Sequence, residues 1–145
     1  MKTNGGFLVT KIKQLGDRIF ERILAEKNID AFNGAQGRIL YVLWQEDGVP
    51  IKIISEKSGL AITSLTTMLE RMEKNGLIIR KTDEADKRKT LLFLTDKAKE
   101  LKEAYDSVSN EMGNIYYRDF TDKEILQFEE YLNRIRVNLE EWSDK

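Results

Sequence analysis

The sequence contains no cysteine, no histidine and a single proline, Pro50. Without cysteine there are no disulfides, no thiol redox sensor and no cysteine nucleophile. Without histidine the chain also lacks imidazole ligands for zinc and the commonest general acid–base residue. The sequence has no glycine-rich phosphate loop and no pair of acidic residues suited to catalysis. We therefore predict a protein that is not an enzyme and uses no metal and no cofactor.

Long apolar runs are also absent. The N-terminal segment has no apolar core of signal-peptide length, and no stretch approaches the ~20 apolar residues of a membrane span. The length of 145 residues is enough for one domain with its own core. The composition, 41% hydrophobic and 34% charged, suits a soluble, helix-rich protein. We predict a cytoplasmic protein without a membrane partner.

Charge is distributed unevenly along the chain. The formal net charge of -1 argues against a uniformly basic protein. Residues 71–90, however, contain seven cations and four anions, whereas residues 120–145 contain four cations and seven anions. The distribution of charge matters more than the total for contacts with nucleic acid. The excess of positive charge therefore marks residues 71–90 as a candidate binding region, although a solvated surface could show the same asymmetry by chance.

Apolar spacing predicts long amphipathic helices at both ends of the chain. The first runs over about residues 7–26 and is followed by a helix at about 35–46. Thr95 is the predicted cap of a third long helix, and residues 121–124 match the capping box that opens a last helix. An intertwined homodimer would bury the terminal apolar stripes, and an intramolecular bundle is the alternative. The residues predicted at the dimer interface are Leu8, Ile12, Leu15, Phe128, Leu132, Ile135, Leu139 and Trp142.

The central segment, residues 53–95, predicts two short helices followed by a basic hairpin. A helix pattern at 53–58 leads through Gly59 to a second helix at 63–75, which ends at Gly76. Two strand-like runs then flank a charged tip at residues 83–89. Such a helix pair can place its second helix in a DNA major groove, and a hairpin beside it can contact phosphates and the minor groove. The prediction is a mainly α fold with a small β-wing, in which long terminal dimerisation helices flank a winged helix-turn-helix.

Four segments in order carry a resemblance to a known family. They are Ile54–Leu60, Leu69–Leu77, Asp86–Arg88 and Leu94–Lys97. Their order and separations resemble those of the multiple-antibiotic-resistance regulator (MarR) family of bacterial winged-helix repressors, over nearly the whole chain.

The resemblance implies one MarR-like domain over residues 1–145. Residues 35–95 would form the DNA-binding lobe, and residues 7–30 and 96–145 the dimerisation helices. It also implies a homodimeric repressor that binds double-stranded DNA at a pseudo-palindromic operator and is released by a small aromatic effector. The alternative is a winged-helix module for protein interaction or small-molecule binding that does not bind DNA.

Three positions depart from the family pattern. Ala61 stands where the family often has a serine or threonine that caps the recognition helix, so Thr63 or a backbone group would have to provide the cap. Thr67 replaces a basic residue that is common on the exposed helix face. Ala98 replaces a glycine, and this replacement favours the helix because alanine has the higher helix propensity. The first two departures weaken any transfer of base contacts from the family.

The predicted recognition helix has a buried and an exposed face. Leu65, Leu69 and Met72 share the buried face, so the opposite side should face outward. Serine and threonine hydroxyls can contact base edges or phosphates, and a threonine methyl can meet the methyl of thymine. An ordinary polar helix face is the alternative. The predicted DNA contacts on this helix are Thr63, Ser64, Thr66, Thr67 and Arg71.

The hairpin tip supplies the other predicted DNA contacts. Arg88 near the tip could enter a narrow, electronegative minor groove, while Lys87 and Lys89 could neutralise phosphates. Asp86 would be unfavourable next to phosphate, so we expect it either to orient Arg88 or to pair with Arg71. A solvated turn is the alternative for this tip.

Aromatic residues give a candidate effector pocket. In the family that this chain resembles, aromatic effectors bind between the dimerisation helices and the DNA-binding lobe. The resemblance thus implies a pocket that includes Phe20, Tyr41 and Trp44. Core packing is the alternative for each of these side chains.

Overall fold

The structure, a computed structural model, describes residues 1–145 and consists of seven helices and one small sheet. The fold class predicted from the sequence, mainly α with a β-wing, is confirmed. The chain divides into two compact units, Met1–Asn110 and Glu111–Lys145. None of the helices combines the length and apolar character needed to cross a membrane. The elements are α1 (Gly5–Glu26), α2 (Gly34–Gln45), β1 (Val49–Pro50), α3 (Ile51–Ser58), α4 (Ile62–Lys74), β2 (Ile78–Thr82), β3 (Thr90–Leu94), α5 (Asp96–Glu100), α6 (Lys102–Tyr116) and α7 (Asp122–Ser143).

Capping residues fix where two of the helices begin. Thr121 and Glu124 form the predicted capping box of α7, in which each side chain accepts a hydrogen bond from the other residue's backbone N–H. Asn33 and Gln36 form an equivalent box at the start of α2. Each box satisfies two backbone donors that a helix end otherwise leaves without partners.

The sheet has three antiparallel strands in the order β1-β3-β2. The hairpin of β2 and β3 pairs Ile78 with Leu94 at its base and Thr82 with Thr90 next to its tip. The short strand β1 was not predicted from the sequence. Pro50 lacks an N–H group, and its place on an edge strand agrees with the usual position of proline in sheets.

The predicted third long helix is interrupted at Leu101, which corrects the expectation of one continuous helix from Thr95. Thr95 does cap α5, because its side chain accepts a hydrogen bond from the Ala98 N–H. The Ala98 carbonyl, however, accepts hydrogen bonds from the Trp44 indole at 3.1 Å and from the Leu101 N–H at 3.1 Å. A side chain that enters the helical hydrogen-bond ladder is a common cause of such a break.

The first unit has an apolar core to which α2, α4 and the sheet all contribute. Its side chains are shielded from solvent almost completely, and such burial contributes roughly 1.5–3 kcal/mol for each large apolar side chain. The largest of them are Ile39, Leu40, Leu43, Ile54, Leu65, Leu69, Met72, Leu77, Ile78, Leu92 and Val108.

In the second unit, aromatic rings pack where the chain passes from α6 to α7. Tyr117 contacts Phe120 and Phe128 in edge-on geometry, with ring centroids 5.6 and 6.2 Å away. The Tyr117 hydroxyl donates a hydrogen bond to Glu129 at 2.7 Å. Burial and this hydrogen bond raise the pKa of Tyr117 to about 12. Phe128 is therefore half-buried within its own unit, whereas the rest of the predicted α7 seam is exposed.

Candidate DNA-binding surface

The turn between α3 and α4 is held by three hydrogen bonds. Gly59 adopts φ +75°, a left-handed conformation that favours glycine, and its N–H donates to the Ser55 carbonyl. The Ser55 hydroxyl donates to the Leu60 carbonyl at 2.7 Å, and the Leu60 N–H donates to the Ser58 hydroxyl oxygen at 3.2 Å. These bonds fix the direction in which α4 leaves the turn.

Helix α4 has the two faces that the sequence predicted. Leu65, Leu69 and Met72 are fully buried. The five predicted DNA-contact residues of this helix, Thr63, Ser64, Thr66, Thr67 and Arg71, are all exposed.

The N-terminus of α4 has no side-chain cap. Ala61 occupies the cap position with extended backbone angles, φ -67° and ψ 143°, and no side chain accepts a hydrogen bond there. Thr63 therefore does not replace the missing cap, contrary to one of the two expectations. The first intrahelical hydrogen bond is donated by the Leu65 N–H to the Ala61 carbonyl. The backbone N–H groups before Leu65 have no acceptor within the helix.

The wing tip is an ordered turn. Asp83 donates its N–H to the Lys89 carbonyl at 3.0 Å and accepts the Ala85 N–H at 2.9 Å on its carboxylate. The Lys89 N–H donates to the Asp86 carbonyl at 3.0 Å. The tip thus has a defined backbone although its side chains are largely exposed.

Asp86 orients Arg88 and does not pair with Arg71. The Asp86 Oδ1 accepts hydrogen bonds from the Arg88 Nε at 3.0 Å and from the Arg88 backbone N–H at 3.1 Å, and Oδ2 accepts from Nη2 at 3.3 Å. These bonds lower the pKa of Asp86, with the side-chain bond contributing most. The Arg88 side chain remains 91% exposed.

The cations near α4 fall into two groups. Arg80 pairs with Glu73 at 3.4 Å, and Lys57 pairs with Glu46 at 2.8 Å. A second group of cations forms no ion pair and is available to an outside anion. It includes Arg71, Lys74, Lys87 and Lys89.

Side-chain hydrogen bonds join the base of the wing to the rest of the first unit. The Thr95 hydroxyl donates to the Gly76 carbonyl at 2.6 Å, and the Lys97 ammonium donates to the Asn75 carbonyl at 3.0 Å. Both carbonyls lie directly after the end of α4. The Leu94 N–H donates to the Asp47 carboxylate at 2.9 Å. The sequence did not indicate the roles of Asp47 and Lys97, because their partners lie 47 and 22 residues away.

The three aromatic residues predicted for an effector pocket surround Tyr105. Tyr41 stacks on Tyr105 with a centroid distance of 5.7 Å, while Trp44 and Phe20 lie at 5.3 and 6.1 Å. Burial in this cluster raises the pKa of Tyr105 above its usual value. Tyr41 is exposed and is thus the member of the cluster that a small molecule could reach from outside.

The predicted dimerisation residues expose apolar surface within each unit. Leu8, Ile12 and Leu15 are exposed on α1 of the first unit, and Phe7 and Val9 extend that surface. In the second unit the exposed residues of the α7 seam are Leu132, Ile135, Leu139 and Trp142.

Helices α3 and α4, together with the ordered wing of β2 and β3, define a winged helix-turn-helix fold. Residues 32–90 match the family model described as "MarR family". This match covers 59 of the 145 residues, including α3, α4 and most of the wing.

Two curated relatives align with the central part of the chain. The HTH-type transcriptional regulator TtmR of Methylorubrum extorquens (strain PA1) is 36% identical over 77 residues, which cover 53% of this chain and 40% of the relative. The organic hydroperoxide resistance transcriptional regulator of Bacillus subtilis (strain 168) is 42% identical over 64 residues, which cover 44% of each chain. The chain thus spans less than half of either relative. Both are transcriptional regulators by name, and neither is named as an enzyme.

Solved structures share the fold over nearly the whole chain. A putative MarR family transcriptional regulator from Listeria monocytogenes, complexed with 26mer DNA, has a TM-score of 0.82 at 22% identity and covers 96% of this chain and 90% of its own. Bordetella bronchiseptica BpsR, whose structure concerns regulation of DNA binding by 6-hydroxynicotinic acid, has a TM-score of 0.82 at 18% identity. It covers 92% of this chain and 99% of its own.

Proposed function

We propose that this protein is a sequence-specific, double-stranded DNA-binding transcriptional regulator and not an enzyme. The observation that carries the proposal is the combination of an exposed, hydroxyl-rich face on α4 with an ordered wing tip that holds Arg88 outward between two unpaired lysines. Acting on promoter DNA, such a regulator would work in the cytoplasm.

Each part of this surface matches a different part of a DNA duplex. Thr63, Ser64 and Thr67 of α4 would enter a major groove, whose base edges are read by hydrogen bonds and methyl contacts. Arg88 would enter the neighbouring minor groove, and Lys87 would neutralise a phosphate. Thr66 and Arg71 would also contact the DNA from α4, and Lys89 would neutralise a phosphate. Asp86 would act only by orienting Arg88.

We propose that the active form is a homodimer. The exposed apolar residues of α1 and those of α7 each provide a surface that a second copy would cover. A two-fold axis would present two recognition helices to one face of the DNA. The half-site centres would then lie about 10–10.5 base pairs apart on a pseudo-palindrome. Occupying a promoter in this way would repress transcription.

A small aromatic effector is proposed to release the DNA. Tyr41, which is exposed and stacks on Tyr105, is the proposed contact. An effector can shift the protein only by its difference in affinity for the DNA-binding and non-binding forms. Titration calorimetry with 6-hydroxynicotinic acid as the probe tests this role, with binding expected to the wild type and lost in Tyr41→Ala. Equal heats for the two proteins would exclude Tyr41.

The function itself is tested by fluorescence anisotropy with a duplex that spans the DNA upstream of the protein's own gene. We expect tight binding to this duplex, weaker binding to a shuffled duplex of the same composition, and affinities that fall with rising salt. A protein-interaction module with the same fold would show no salt-dependent affinity for DNA. Absence of binding to any duplex at low ionic strength would refute the proposal.

A further inference from the structure

A large apolar side chain stands in the first turn of the recognition helix. Ile62 is the first residue of α4 and is 48% exposed. The exposed residues that follow it in this helix carry hydroxyl or charged groups. Ile62 borders the buried face formed by Leu65, Leu69 and Met72 but leaves 48% of its surface exposed. This exposed part of the side chain is available for contact with something outside the chain.

Thr66 extends this apolar surface by one helical turn. Residues four positions apart lie on the same side of a helix, so Ile62 and Thr66 are neighbours. The Thr66 hydroxyl donates a hydrogen bond to the Ile62 carbonyl at 3.0 Å. Because the donor is used within the helix, Thr66 can offer a groove only its methyl group and an acceptor oxygen.

The chemistry of the major groove indicates what such a surface would contact. Thymine is the base that presents a methyl group there, and apolar side chains recognise it by contact. Asparagine and glutamine, the usual partners of adenine, do not occur in α4. The N-terminal residues of a recognition helix are the ones that reach base edges. Ile62 and Thr66 are therefore placed where base contacts are made but lack the donors that read adenine or guanine.

We infer that Ile62, together with the methyl group of Thr66, selects operators by packing against the C5 methyl group of a thymine in each half-site. The inference rests on the proposed function and adds the base that the helix selects. Burying one methyl-sized group corresponds to a change of about fourfold in affinity, so two half-sites give about fifteenfold. The contact would discriminate against cytosine and equally against uracil, which pairs like thymine but lacks the methyl.

The test uses duplexes selected by the purified protein from a random-sequence pool. Each thymine of a selected duplex is replaced singly, and then in symmetry-related pairs, by deoxyuridine. We expect one or two positions in each half-site to lose about fourfold in affinity on replacement. In Ile62→Ala the thymine duplex should bind more weakly, and the deoxyuridine substitution at that position should have no further effect.

The matched control is Ile79→Ala. Ile79 is an isoleucine of similar exposure, 41%, on β2 rather than on the recognition helix, and its substitution should leave the deoxyuridine effect unchanged. Wild-type protein that binds thymine and deoxyuridine duplexes equally would overturn the inference while leaving the proposed function intact. An Ile62→Ala protein that keeps the full deoxyuridine effect would also overturn it. Failure to select any duplex would instead refute the proposed function.

Discussion

The carboxylate of Asp86 holds the guanidinium of Arg88 at the tip of the wing, with 3.0 Å between Oδ1 and Nε. The arginine nevertheless exposes 91% of its side chain, whereas Asp86 exposes 29%. The pKa of Asp86 is lowered, so its carboxylate is charged above its ordinary titration range and loses this contact only as the pH falls below that range. The orientation of Arg88 is therefore maintained throughout the neutral pH range.

Replacement of Arg88 by alanine is expected to weaken DNA binding for all sequences. A plot of the logarithm of affinity against the logarithm of salt concentration should also have a slope that is smaller by about one for each subunit. The reason is that each subunit has one cation fewer to displace counterions from the DNA. Salt titrations of fluorescence anisotropy measure this slope. Arg80→Ala is the control, since Arg80 exposes only 34% of its side chain, whereas Arg88 exposes 91%. A slope that is the same for Arg88→Ala and wild type would reject the role of Arg88.

Two charges on the α7 seam are expected to separate the proposed dimer. The double variant Leu132→Glu with Ile135→Glu would have to bury two carboxylates in the interface and would lose two apolar contacts. We expect its dimer dissociation constant to rise by about a hundredfold or more. Specific DNA binding should be lost as well. Sedimentation velocity measures the mass in solution. Gln127→Glu with Asn133→Glu adds the same charge elsewhere on α7 and should leave the dimer intact. An intact dimer in the seam variant would exclude this helix face from the interface.

A serine at position 61 is expected to stabilise the protein. The backbone of Ala61 already has the extended conformation of a helix cap, so the serine hydroxyl could accept one of the free N–H groups of α4. The free energy of unfolding should rise by about 1 kcal/mol, which corresponds to an increase in Tm of about 4 °C. Thermal melts at one fixed protein concentration measure the change. Ala85→Ser, at an exposed wing position outside any helix, should melt like the wild type. A Tm that does not rise in Ala61→Ser would contradict the prediction.

Tyr117 should make stability depend on pH in the alkaline range. Its pKa is raised to about 12, above the ordinary value of 10.0, so the neutral phenol stabilises the fold. This contribution is fully present below pH 10 and is lost as the pH rises through 12. Denaturant unfolding at a series of pH values should show a smaller alkaline loss in Tyr117→Phe than in the wild type. Tyr116→Phe retains the bond from Tyr117 to Glu129 and serves as the control. Parallel losses in Tyr117→Phe and wild type would show that the phenol does not contribute.

The helix-turn-helix and wing follow from local sequence signals. Gly59 and Gly76 both adopt the positive φ that the turn and the helix end require, and the spacing of Leu65, Leu69 and Met72 defines the buried face of α4. These signals act over a few residues, and the predicted boundaries lie within one or two residues of those in the structure. The exposed site residues of α4 follow from the same periodicity.

Features that depend on distant partners could not be predicted. The break at Leu101 involves the indole of Trp44, whose hydrogen-bond partner Ala98 lies 54 residues away. The choice of Asp86 between Arg88 and Arg71 likewise depends on how the wing lies against α4. The capping box of Asn33 and Gln36, by contrast, is a readable sequence signal that the prediction missed. Pro50 belongs to a strand of two residues, which is too short to leave a periodic pattern.

The bonds that Gly76 and Asn75 accept from Thr95 and Lys97 tie the last turn of α4 to the root of the hairpin. The proposed recognition helix and the wing are therefore expected to move as one rigid body. In the proposed dimer, an effector would then not need to unfold either element to weaken DNA binding. A change in the distance between the two DNA-binding lobes would be enough, because both lobes could then no longer fit the helical repeat of the duplex at the same time.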